Sequence, residues 1–423
     1  LASPKRKFLG PKKVKIAFLL LTPSISVTIQ PMEKRGLESN LVVVDYHNEE
    51  YFESPQAVVS APGVGFILGE HSEFCNGMAI GFGLPLRTYV AVSRRSDSSL
   101  RFFAADLQER KRSTLSNLKF KREDRWANYL KGILLGLANA GCPLGGLNIT
   151  FHGTIPRNKG LFSSGSLCLA AAKATAEAMG YDLTDPQLIQ AVLFAEKSFV
   201  QSPYVSPLEI YLSLYSRKGH LLLIDQRNFS MEYLEISFPE ISLILIDSQV
   251  PQSDFLEDLQ ERVEVCNEAS LVIRQQIPGG DLRALSPKEF RGILGEVSES
   301  VRRISIHGAN ESARYNELLT QLKSGNYELA GKILNHSQED LRDLFEVSCP
   351  EIDWITKHTV ELRGVLCTRL TGVGIASCAL TFYEKSVENS LLSRLDEYER
   401  IFGFHPEVYP IHLAGGMEVH RLP

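Results

Sequence analysis

A chain of 423 residues can bury a sizeable core and, as a prior, suggests two or three domains. Its apolar fraction of 44%, charged fraction of 22% and formal net charge of -5 are ordinary for a globular protein, which disfavours a nucleic-acid or polybasic membrane binder. No apolar run is long enough to span a bilayer, and seven widely spaced cysteines without a CxxC pair argue against a zinc knuckle or redox dithiol, so free thiols in a reducing cytoplasmic setting are expected.

A basic run, Lys5–Lys15, precedes the apolar stretch Ile16–Leu21. The stretch is short, breaks at Pro23 and is followed by no Ala-x-Ala pattern, so a signal peptide is not expected. Residues 1–40 are expected to form an N-terminal extension, and Met32 would serve as a natural start. Valine-rich Leu41–Val44 and Ala57–Ser60 predict strands, a glycine-rich stretch runs from Gly63 to Gly83, and Leu86–Arg94 alternates as a strand with Arg101–Ala104 as its partner. Trp126–Ala140 predicts a helix with Leu130, Ile133, Leu134 and Leu137 on one side, and Leu147–His152 a strand. A glycine/serine loop, Gly160–Ser166, leads into an alanine-rich helix, Leu167–Met179. Thr184–Phe199 predicts a helix capped by Thr184 or Asp185 with Pro186 in its first turn. Strands follow at Gly219–Asp225 and Ile241–Ser248. The chain then turns helical over Asp254–Gln275, Val297–Lys323, Tyr327–Asp343 and Cys349–Val360, and returns to strand over Val373–Tyr383 and part of Glu407–Glu418. This is an α+β pattern: a strand-rich first half, a helical middle and returning strands.

Three elements carry chemistry. Ile155–Ser166, "IPRNKGLFSSGS", sits between a predicted strand and a helix, where backbone N–H groups and a helix N-terminus can surround a phosphate. It is not a GxxxxGK[ST] loop, and from spacing alone a capped helix start with tight packing is the favoured reading over phosphate binding. Ser60–Gly77 holds glycines beside Glu70, His71 and Glu73, which could converge on the hydroxyls of a polyol or simply form a polar turn. In Arg369–Cys378, "RLTGVGIASC", Gly372 and Gly374 precede a strand and fit a bend, a bulge or close approach to a ligand.

In this order and at these distances the three elements resemble the galactokinase family of the GHMP superfamily of small-molecule kinases. Ala61–Gly77 is similar to its signature APGRVNLIGEHTDYNxG, Pro156–Ser166 to PxGxGLSSSAA, and Leu370–Cys378 to MTGGGFGGC. Trp126, Asn128 and Tyr129 match a WxNY element; His307, Asn310, Glu311 and Arg314 resemble HxxxENxR; Ser348–Asp353 also matches. The resemblance implies a two-domain GHMP kinase fold with a cleft between domains, spanning residues 41–225 and 226–423. It implies ATP bound in that cleft and a γ-phosphoryl passed to the C1 hydroxyl of galactose. Gly160, Leu161, Ser163 and Ser164 are the implied nucleotide-binding residues, Ser163 and Glu196 the magnesium partners of Mg-ATP, and Glu70, His71 and Glu73 the sugar-binding set.

The two residues that support transfer in the family are replaced. The signature arginine falls on Val64. Setting GIMDQ on Val205–Glu209 puts its aspartate on Leu208, with Glu209 one step, roughly 100°, round the helix. Asn158 stands at a glycine-class position and Phe162 at a serine position, and the family tyrosine near the sugar falls on or near Leu259. The expectation is therefore a galactokinase-like protein, catalytically impaired or inactive, that retains sugar or nucleotide binding and has a protein partner if it is regulatory. One alternative is an active sugar kinase drawing on Arg157, Lys159 or Glu209. Another is an interaction protein whose cleft is closed by Val64, Phe162, Leu208 and Leu259. Neither nucleic acid nor membrane is an expected partner.

Overall fold

The computed structural model describes residues 39–251, 255–277 and 297–422. The expected extension 1–40 lies outside these except for its last two residues. Two antiparallel-rich sheets with helices against them confirm the α+β class.

The first sheet has strand order β12-β1-β2-β5-β3-β4, with β6 and β7 continuing from one end of β2. Its strands are β1 (Ala57–Leu68), β2 (Met78–Arg95), β3 (Ser99–Ala104), β4 (Glu109–Thr114), β5 (Gly146–Gly153), β6 (His220–Asp225), β7 (Ser230–Glu235) and β12 (Glu418–His420). The glycine-rich Gly63–Gly83 is thus mostly strand. Gly65 and Gly81 allow β1 and β2 to lie under Phe82 and Leu212, because a Cβ at either would stand 2.6–2.8 Å from those side chains. β7 and β12 join this sheet from beyond residue 225, so the expected division at 225 does not coincide with the sheets.

Helix α1 (Ser39–Tyr51) replaces the strand expected at Leu41–Val44. A valine run favours strand locally, but here Val43 and His47, one helical turn apart, are both buried against the sheet. His47 lies 3.0 Å from both Thr150 Oγ1 and Ser93 Oγ, and burial pushes its pKa down to about 4. Tertiary packing overrides propensity at this site.

Helices α2 (Ala127–Asn139), α3 (Ser163–Met179), α4 (Asp185–Leu193) and α5 (Pro207–Tyr215) pack on the first sheet around one large apolar cluster. Thr184 caps α4, its N–H donating to Gln187 Oε1 at 3.1 Å. The helix expected to reach Phe199 becomes a π-helical turn over Phe194–Val200, a geometry frequent at functional sites.

The second sheet, order β11-β8-β10-β9, comprises β8 (Ile241–Asp247), β9 (Val365–Thr371), β10 (Cys378–Glu384) and β11 (Glu407–Ile411). Its helices are α6 (Leu256–Gln276), α7 (Glu299–Ser324), α8 (Tyr327–Asp343), α9 (Pro350–Val360) and α10 (Glu388–Phe402). The strand expected over Val373–Tyr383 begins only at Cys378. Gly372 (φ 96°) and Ala376 (φ 53°) instead turn the chain, and Ala376 N–H donates to Val347 O at 3.0 Å. The two sheets are joined at β1 and β9: Phe66 N–H donates to Thr371 Oγ1 at 2.7 Å, and Thr371 Oγ1 donates back to Phe66 O at 3.1 Å. No helix among the described residues is long and apolar enough to cross a membrane.

Candidate functional site

All three glycine-bearing motifs meet at one loop. Residues 154–162 connect β5 to α3, with Asn158 (φ 56°), Gly160 (φ 68°) and Phe162 (φ 64°) in left-handed conformation. Val64 N–H of the first motif donates to Leu161 O at 3.3 Å. A Cβ on Gly63 would lie 2.8 Å from that same oxygen, and one on Gly372 would lie 2.1 Å from Gly160 O. Gly372 is therefore needed for close backbone approach.

The loop delivers the first turn of α3, whose first N–H groups have no intrahelical partner, and Ser163 and Ser164 of that turn line a cavity. Ser164 Oγ donates to Glu196 Oε1 at 2.7 Å; the π-helical turn carries Glu196 there. Burial pushes the Glu196 carboxyl up to about 7. Its unfolded value is near 4.5, so the unfolded chain loses this proton at lower pH than the folded one. Stability should therefore fall as pH rises from 4.5 to 7, by about 3 kcal/mol from this group, and stay low above 7. Glu196→Gln is expected to remove that part of the slope in denaturant titrations at pH 5 and pH 8, and an unchanged slope would refute the assignment.

Phe162 stands at the helix start, and its ring lies on Gly165. A Cβ at 165 would stand 1.9 Å from that ring. The two positions are coupled: Gly165→Ala should cost about 1–3 kcal/mol as an overpacked site, and Phe162→Ser combined with it should recover most of the loss. A double-mutant cycle with zero coupling energy would count against this.

A cavity of about 300 Å³ opens in front of the loop. Its walls combine the aromatic side chains of Trp126, Tyr129 and Phe151 with the polar ones of Ser163, Ser164 and Glu196. The loop cations are engaged: Lys159 Nζ sits 2.7 Å from Asp247, and Arg157 3.2 Å from Asp106.

A second cavity of about 400 Å³ adjoins the first, with Tyr204 and Val373 in both walls. His71 and Glu73 line it; Glu70 does not. His71 stacks on Phe345 with centroids 4.5 Å apart, and burial, then His307, holds its pKa well below the usual range. Glu73 accepts from Ser206 Oγ, and burial raises its carboxyl to about 7. Glu70, expected in the sugar-binding set, lines neither cavity: it is buried beside Arg369, whose guanidinium lies 2.9 Å from Glu70 Oε1. Arg369 is itself fully buried on β9 and had no sequence signal beyond its place before the third motif.

Val64, Phe162 and Leu208 are buried in one apolar cluster, whereas Leu259 lines the second cavity, so the four do not close the cleft together. The aspartate-aligned Leu208 and its neighbour Glu209 face different ways. Leu208 points wholly into the core, and the side chain in the cavity wall is Glu209. Glu209 Oε1 is buried without a hydrogen-bond partner, and burial, then Glu196 and Glu73, drives its pKa far up. One signal was available: Glu209 and Ser213 are polar residues at i, i+4 in an otherwise apolar helix, and Ser213 Oγ donates to Pro62 O at 2.7 Å. Residues 201–206 before the helix are not helical, so a helical count from Glu196 does not carry through to Glu209.

Comparisons with known proteins agree with this geometry. Residues 45–94 match the galactokinase galactose-binding signature and residues 128–217 the GHMP kinases N-terminal domain. A galactokinase-family protein of Treponema pallidum is 30% identical over 380 residues, covering 88% of this chain and 95% of its own length. Human galactokinase is 28% identical over 378 residues, covering 88% and 94%. The solved galactokinase of Lactococcus lactis, complexed with galactose, superposes with a TM-score of 0.83 at 20% identity, covering 89% and 99%; the mevalonate kinase of Methanococcus jannaschii superposes at 0.59 with 16% identity, covering 85% and 98%. Fold, motif convergence and sequence relationship together place this chain in the galactokinase family of GHMP kinases.

Proposed function

We propose that this protein is a sugar kinase of reduced catalytic power, taking Mg-ATP in the first cavity and a sugar in the second. The observation that carries this reading is Glu209: a buried carboxyl with an unpartnered oxygen in the wall of the first cavity, within electrostatic reach of Glu73 in the wall of the second. In this reading the sugar hydroxyl oxygen attacks the γ-phosphorus, the bond to the β–γ bridging oxygen breaks, and Glu209 orients the hydroxyl and receives its proton. A carboxyl raised this far by burial keeps its own proton until positive charge arrives beside it. Ser163 and the Glu196 carboxylate offer hard oxygen donors that fit magnesium, which would neutralise phosphate charge there. The N–H groups of the first turn of α3 would position the phosphates.

The power is reduced because Val64, fully buried, supplies no cation, and Arg157 and Lys159 are held by carboxylates. Loss of one such donor costs on the order of 10²–10³ in rate. A second reading, binding without transfer, is favoured by the same Val64. The deciding experiment incubates the chain with magnesium, γ-labelled ATP and galactose, and separates sugar phosphate from ATP. Slow, magnesium-dependent labelling of the sugar is expected. ATP binding without any labelled sugar would leave the second reading standing.

A further inference from the structure

We propose that the second cavity selects an acceptor that carries an oxyanion, a carboxylate or phosphate on the polyol, over a neutral sugar. This rests on the reading of that cavity as the acceptor site. The charge in its wall is unbalanced. Lys197, Arg262 and Arg274 line it, against the single carboxyl of Glu73. No carboxylate among the described residues is within ion-pair distance of Lys197 or Arg274. Arg262 lies 2.8 Å from Glu346, but Glu346 also stands 2.7 Å from Arg303, so one carboxylate serves two guanidiniums. Arg262 Nε is buried with no hydrogen-bond partner, a donor left over in the wall.

A neutral sugar is recognised by acceptors and donors in balance, with carboxylates supplying the acceptors for its hydroxyls. Glu70 adds no carboxyl to this wall, because it is buried beside Arg369 and does not line the cavity. What remains is a surplus of donors: two guanidiniums and an ammonium. Planar guanidiniums match carboxylate and phosphate oxygens two at a time. Phe345, which stacks on both His71 and Phe74, gives the cavity an apolar face for the carbon skeleton.

The test is calorimetric titration of the full chain with galactose, galacturonate and galactose 6-phosphate. At least one anion is expected to bind about tenfold or more tightly than galactose, the scale of one partly screened charge pair. Which of the two does so tells carboxylate from phosphate. The preference is expected to fall to about threefold or less in Lys197→Met/Arg274→Gln, whose exposed side chains can change without unfolding the chain. Three results would overturn the proposal: galactose binding as tightly as both anions, the preference surviving in the double variant, or none of the three binding. Binding is read without turnover, so a chain that prefers the anion yet transfers nothing refutes the kinase reading alone. A chain that phosphorylates galactose without anion preference refutes only this inference.

Discussion

Replacing Glu209 by alanine is expected to lower the turnover of sugar by about 10²–10⁴-fold, the usual contribution of a positioned acid–base group. Glu209→Gln should behave similarly, since an amide keeps the shape but cannot accept the hydroxyl proton. Neither variant should weaken the fold. The wild-type carboxyl is buried, has one oxygen without a partner and lies near Glu196 and Glu73. The folded chain holds this carboxyl protonated to higher pH than the unfolded chain does, which costs stability once the unfolded chain ionises; an amide carries no such cost, so the glutamine variant should be more stable than wild type at pH 8. Lower activity together with higher stability is the signature of a functional carboxylate, and a structural one would lose both. Leu208→Asp is the control. It puts a carboxyl into the apolar cluster and should destabilise the chain without raising turnover. Initial rates and denaturant titrations on the three variants decide the matter. Unchanged turnover in Glu209→Ala would remove this residue from the reaction.

Arg369→Met is expected to destabilise the protein by about 3–5 kcal/mol, because it leaves the Glu70 carboxyl buried and unpaired. Burial already pushes that carboxyl up, and Arg369 is the largest influence pulling it back. The cost should fall chiefly on the junction of the two sheets. Arg369 also reaches Ser337 and the Phe66 carbonyl at 3.4 Å, next to the Phe66–Thr371 hydrogen bonds. Glu70→Gln combined with Arg369→Met should recover much of the loss, since a neutral amide is far cheaper to bury than a lone carboxylate. Denaturant midpoints for the two singles and the double measure the coupling. If the double is as unstable as the sum of the singles, Glu70 and Arg369 are not a pair, and Glu70 returns to the acceptor site as a candidate.

Some of this was legible from residues alone. The glycine spacing of the three motifs gave family and loop, because backbone that must turn left-handed or approach another backbone closely requires residues of one kind in one order. Helix α8 appeared with its observed ends, since an uninterrupted amphipathic run follows a flexible cap, Asn326, whose side chain accepts from Leu329 N–H. Helix α10 had the same kind of signal, with Leu391, Leu395 and Tyr398 on one buried face, although no element had been assigned to it. The absence of a cation at position 64 was equally plain, because a side chain's chemistry does not depend on its surroundings.

Only the tertiary structure decided where the polar groups point. Glu70 and Arg369 are 299 positions apart in sequence, and nothing local says that one will neutralise the other. Glu209 faces the cavity and Leu208 the core because Pro207 starts α5 against β1 and β2, and a one-residue change of register would exchange them. Helix α1 formed from a strand-favouring segment because the sheet offered Val43 and His47 a buried surface one turn apart. Residue type and spacing set what chemistry the chain could carry. Burial and long-range pairing, which depend on the whole fold, set which of those groups remained free to use it.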